Sequence, residues 1–184
     1  MALRAEKHDG HSAFNMKHDG YTRILALEVR YRRFGFVVLE QKPMRLLDCG
    51  TRSFTSPAVL IERLEPIIAM FDPWVIVVRR PGHKSVVHPE GVKTNLRIIR
   101  MEATRRSIPM EFVNMHEVRS VFHESDKSKD VTAATIVKMF AELQWKLPPK
   151  RKPWTSEGHN MVIFDATATC LTYLSRFDAT GHSP

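Results

Sequence analysis

Cysteine is nearly absent from this 184-residue chain, which holds only Cys49 and Cys170, 121 positions apart. Two distant thiols, each in an apolar stretch, offer neither zinc-ligand spacing nor a disulfide framework. They suit reduced, buried side chains in a cytoplasmic protein. Long hydrophobic runs are missing too: none approaches the roughly 18 residues needed to cross a bilayer, and no signal-peptide core follows Met1. Neither GxxxxGKS/T nor GxGxxG occurs, so the common nucleotide-binding loops are excluded. HEVRSVFH, from His116 to His123, lacks the HExxH spacing of a zinc helix. Acids are also in deficit, with 20 Asp and Glu against 28 Lys and Arg, a net charge of +8. That excess favours polyanions, nucleic acid foremost.

What is present is an ordinary globular balance, 43% hydrophobic and 26% charged, in a chain long enough for one domain with a real core. Residues 1–22 read as a flexible polar tail carrying KHDG twice, at Lys7–Gly10 and Lys17–Gly20. Its acids Glu6, Asp9 and Asp19 argue against a transit peptide. The domain is expected over 23–178, with 179–184 as a short second tail.

Three apolar segments come first: ILALE at Ile24–Glu28, FGFVVLE at Phe34–Glu40 and RLLDCGTRSF at Arg45–Phe54. Their lengths and short separations predict strands joined as hairpins. Ser56 and Pro57 then cap and start a helix with apolar residues Leu60, Leu64, Ile67, Ile68 and Phe71, which Pro66 should kink or split. WVIVV, Trp74–Val78, is a β-branched run typical of a strand buried on both faces. A polar loop is expected over Arg79–Lys93, a basic helix over Thr94–Arg106 and a strand over Ile108–Val113. Further helices are expected at Glu117–Phe122, at Val131–Leu143 with Val131, Ala134, Val137, Phe140 and Leu143 inward, and at Ile163–Phe177. This order predicts an α/β domain whose mixed sheet has about five strands, three antiparallel and then two parallel, flanked by helices: the ribonuclease H-like arrangement.

One charge stands out against this frame. Asp165 interrupts the apolar and small-residue run MVIFDATATCLTYL, where an unpartnered carboxylate is costly to bury. It reads either as a helix-start acid meeting free N–H groups, or as a ligand projecting into a cleft.

The same stretches resemble the RuvC-type Holliday junction resolvases of the ribonuclease H-like superfamily. In EVRYRRFGF an acid, Glu28, precedes a glycine, Gly35, by seven positions; FDPWVIVVR matches a Phe-x-Pro strand; and FDATA resembles an acid-plus-small-residue helix start. The resemblance spans about 23–177. It implies a metal-dependent endonuclease acting on branched or structured DNA in recombination and repair, with Mg2+ or Mn2+ as cofactor and a homodimeric state. Glu28 and Asp165 would be the catalytic, metal-binding pair. The chain departs from that pattern where Arg79 replaces a strand-end Glu, Val162 replaces a helix acid, and Glu28 itself lengthens an Asp. Glu90 and Glu102 are the remaining candidates to complete an acidic site. The alternative implication is a domain that keeps the fold and binds nucleic acid or a partner without cleaving.

Arg79 beside such acids would either neutralise them or hold a phosphate by bidentate hydrogen bonds. KLPPKRKPW supplies a second candidate interface. Lys150, Arg151 and Lys152 can meet phosphates from a proline-stiffened loop, and Trp154 can stack on a base or pack on the core.

Overall fold

The computed structural model describes residues 22–81, 88–122, 129–149 and 158–178. The sheet has five strands in the order β3-β2-β1-β4-β5. β1 (Arg23–Val29), β2 (Arg33–Glu40) and β3 (Arg45–Ser53) form the antiparallel meander, while β4 (Val75–Arg79) and β5 (Met110–Val113) add in parallel. This is the expected ribonuclease H-like sheet. The three central strands are buried on both faces, and their near-continuous Val, Ile, Leu and Phe follow from that position.

Alternation within each strand sorts the core into two halves. Ile24, Ala26, Val37, Leu39, Val75 and Val77 face α5 (Met161–Asp178), which is backed by α3 (Met115–Val121) and α4 (Lys129–Met139). Leu25, Leu27, Phe34, Phe36, Ile76 and Val78 face α1 (Pro57–Phe71) and α2 (Pro89–Arg105). α5 is buried on every side from Met161 to Leu174. Its hydroxyls are satisfied within the helix, because Thr167, Thr169 and Thr172 donate to the carbonyls of Ile163, Asp165 and Ala168.

Several boundaries differ from the sequence expectation. α2 begins at Pro89, inside the expected polar loop, because Pro at the first helical position loses no needed N–H and Glu90 complements the helix dipole. α1 runs on as one helix through Pro66. α4 ends at Met139, followed by a 3-10 segment, Ala141–Lys146. Of the residues expected to face inward here, Phe140 and Leu143 are buried and Val137 packs partly buried on the core, whereas Val131 and Ala134 are exposed and Ala133 and Ile136 take their place. The stripe is shifted because two spacings fit the same sequence and α5 accepts the one carrying Ile136. No helix among the described residues is long and apolar enough to cross a membrane.

Candidate functional site

Strand register places the site. In the parallel β1–β4 pair Leu27 partners Val78, so Glu28, next to last in β1, and Arg79, last in β4, lie side by side. Glu28 continues the row of Ile24 and Ala26, and Arg79 the row of Val75 and Val77, so both point to the α5 face. On the other side of β1, Glu28 lies opposite Gly35. A Cβ on Gly35 would sit 2.4 Å from the carbonyl oxygen of Val162, so the missing side chain is what lets the first turn of α5 press onto the sheet. Asp165, the fifth residue of α5, is carried inward by that approach. It is not a capping acid: no acidic residue occupies the first turn of the helix.

Glu28 and Asp165 are both buried, and the structure brings them together. Two cations bridge them and a third binds Asp165. Arg30 places Nε 2.9 Å from Glu28 Oε1 and Nη2 3.0 Å from Asp165 Oδ2. Arg79 donates from Nη2 to Glu28 Oε1 and holds Nη1 3.8 Å from Asp165 Oδ1. Lys129, at the start of α4, donates to Asp165 Oδ2 at 2.7 Å. Two negative charges thus meet three positive ones, and this part of the site carries a net positive charge. Burial is the largest influence on Glu28 and pushes its carboxyl above the usual range; Arg79 opposes it, and Asp165 adds to the rise. Arg30 and Lys129 counter the rise further.

A divalent ion of the hard, oxygen-seeking kind needs several carboxylate or carbonyl oxygens with their charge available. The two carboxylates of this cluster are already engaged by guanidinium and ammonium groups. Among the described residues no group of three or more His, Cys, Asp and Glu could hold a metal. Neither of the further candidates joins in. Glu90 is exposed and pairs with Lys93 at 2.7 Å. Glu102 lies in the other half of the core, bound by Arg105 and Arg106, and those pairs hold its carboxyl down at about 2. The donor set does not fit a bound divalent ion as it stands.

Of the expected nucleic-acid contacts, Arg79 has its guanidinium turned inward to the acids. Lys150, Arg151, Lys152 and Trp154 lie outside the described residues. Some surface arginines serve structure instead: Arg105 and Arg106 reach Glu65, and Arg100 lies over the Phe112 ring at 5.1 Å. Sequence reasoning missed Lys129, which sits 36 residues from Asp165 with no local motif to mark it. It also missed the role of Arg30, although two positions beyond Glu28 is where a strand-end side chain can fold back onto the same face.

No protein-family model matches the chain, and no curated protein matches it in sequence. Solved structures do match. The fold is that of the RuvC-type resolvases within the ribonuclease H-like class. Thermus thermophilus RuvC in complex with a Holliday junction substrate superposes with a TM-score of 0.65 at 14% identity, covering 87% of this chain and 96% of RuvC. The yeast mitochondrial Holliday junction resolvase gives 0.59 at 13% identity, over 83% of this chain and 78% of its own. Fowlpox virus resolvase with Holliday junction DNA gives 0.54 at 11% identity, over 83% and 99%.

Proposed function

We propose that this chain is a nucleic-acid-binding protein on a RuvC-type fold, directed to branched DNA, in which protein cations occupy the place where a nuclease of this kind would gather metal. The observation that carries this reading is the engagement of Glu28 and Asp165 by Arg30, Arg79 and Lys129. An acid pair neutralised in this way repels a divalent ion and attracts a phosphate, because the cluster bears net positive charge before any ligand arrives. The overall charge of +8 acts in the same direction at longer range. The solved structures of similar fold that hold Holliday junction DNA support branched DNA as the first substrate to try.

The second reading is a magnesium- or manganese-dependent endonuclease using Glu28 and Asp165 as ligands. It has the resemblance of the EVRYRRFGF and FDATA stretches in its favour. It requires three side-chain cations to withdraw before a metal can enter. One experiment separates the two. A labelled four-way junction is incubated with the protein in Mg2+ or Mn2+, and binding is measured in parallel in EDTA across a salt series. The expected result is salt-sensitive binding in EDTA and no cleavage in either metal. Cleavage that disappears in a folded Glu28→Gln variant would establish the nuclease reading instead.

A further inference from the structure

We propose that the β1–β2 hairpin tip, Arg30 to Arg33, is a platform that stacks an unpaired base and grips its phosphate; this rests on the nucleic-acid reading above. The tip is unusually constrained for an exposed turn. Asn95 of α2, 4% exposed, donates from Nδ2 to the carbonyls of both Arg30 (3.0 Å) and Tyr31 (3.1 Å). The backbone of Phe54 donates to the Arg32 carbonyl at 3.0 Å, and Arg30 N–H donates to the Arg33 carbonyl at 2.9 Å. The Tyr31 ring packs on the His88 ring with centroids 4.5 Å apart. It lies so close to α2 that a Cβ on Gly91 would come within 2.3 Å of Tyr31 Cδ2.

On this fixed base the Arg32 guanidinium lies 5.2 Å from the centre of the Tyr31 ring. Tyr31 and Arg32 nevertheless remain exposed, Tyr31 at 39%. An aromatic ring and a planar cation held together and open to solvent form the combination that stacks unpaired bases while meeting phosphate. Because the tip is already ordered, binding does not have to order it. The position fits as well. Arg30 belongs to the tip by its backbone and to the acid cluster by its guanidinium, so a strand held at the tip passes directly over that positively charged cluster. Inside a duplex every base face is covered by its neighbours and only the two end pairs are open, whereas each unpaired base of a strand leaving a branch point can reach such a platform.

The test compares two fluorescent DNAs by anisotropy with the full chain: a fork with a single-stranded arm, and a blunt duplex of equal length. Tyr31→Ala should weaken fork binding by roughly 5- to 150-fold, the worth of one stacked base, and change duplex binding by less than about twofold. Tyr31→Phe, which keeps the ring, should bind the fork normally. Gly91→Ala, which evicts the ring from its seat without removing it, should mimic Tyr31→Ala. It also provides the test if Tyr31→Ala proves unfolded. A 2-aminopurine placed in the arm should be quenched by the wild type and less by both variants. Equal losses on fork and duplex, or none on either, would overturn the platform while leaving nucleic-acid binding intact. Failure of the wild type to bind either DNA would overturn both this inference and the reading it rests on.

Discussion

Gly35 lies directly opposite Glu28 in the β1–β2 ladder, and the space above Gly35 is filled by the backbone of Val162. The acid and the glycine seven positions later are therefore one device: the glycine admits the helix whose Asp165 meets the acid. Gly35→Ala should cost about 3 kcal/mol, the upper part of the range for overpacking, since the obstructing atoms are backbone and cannot rotate away. Urea unfolding would show the lowered midpoint. Gly50→Ala, whose nearest obstruction is the Phe36 side chain, should cost less.

Arg79 is the cation best placed to decide whether metal enters. Arg79→Glu removes one positive charge and adds one negative beside Glu28 and Asp165. In EDTA the variant should be less stable than wild type by about 3–5 kcal/mol, because buried acids lose their partner. Millimolar Mg2+ or Mn2+ should restore part of the loss, and calorimetry should detect a higher divalent-ion affinity than that of the wild type. An unchanged affinity would mean that Arg30 and Lys129 alone suffice to exclude the ion.

Glu102 gives the pH dependence with a definite sign. Arg105, then Arg106, hold its carboxyl at about 2 against an ordinary 4.5, although partial burial works in the other direction. Its contribution is therefore complete above pH 4.5 and lost as the pH falls toward 2. Glu102→Gln should lower the Tm at pH 7 by roughly 2–4 °C, and the gap from wild type should close across that acid window. Glu28 runs the opposite way. Its raised carboxyl makes the folded chain bind a proton that the unfolded chain releases, so its contribution declines as pH rises above 4.5.

For the loop KLPPKRKPW the expectation is electrostatic. Replacing Lys150, Arg151 and Lys152 together by Ala should flatten the slope of log affinity against log salt by roughly 2–3 on duplex DNA, nearly uniformly across sequences. Trp154→Ala should cost about 1–3 kcal/mol only on DNA with unstacked bases. A lowered Tm with equal weakening on every DNA would assign Trp154 to packing.

The fold was legible because strand and helix periodicity are local properties: four short runs and the β-branched WVIVV sufficed to order the sheet. Asp165 was visible as an anomaly, a charge in an apolar run, and Gly35 only through its spacing from Glu28 in the resemblance. The cation cluster was not legible to the same degree. Arg30, Arg79 and Lys129 converge from the end of β1, the end of β4 and the start of α4, and nothing in a sequence of many arginines marks which three turn inward. The buried face of α4 was ambiguous for a related reason. Two stripes satisfy helical spacing, and only the shape of α5 selects between them.

The burial of α5 on all sides has a consequence for how the molecule comes to be. Until residues 161–178 have left the ribosome, the face of the sheet carrying Ile24, Ala26, Val37 and Val77 has no cover, and Glu28 has no Asp165. Contacts spanning more than a hundred residues, such as Arg30 to Asp165, delay closure and lengthen the period in which apolar strand surface stays open. The face under α5 thus stays open to aggregation longest, and the acid–cation cluster is among the last parts of the protein to form.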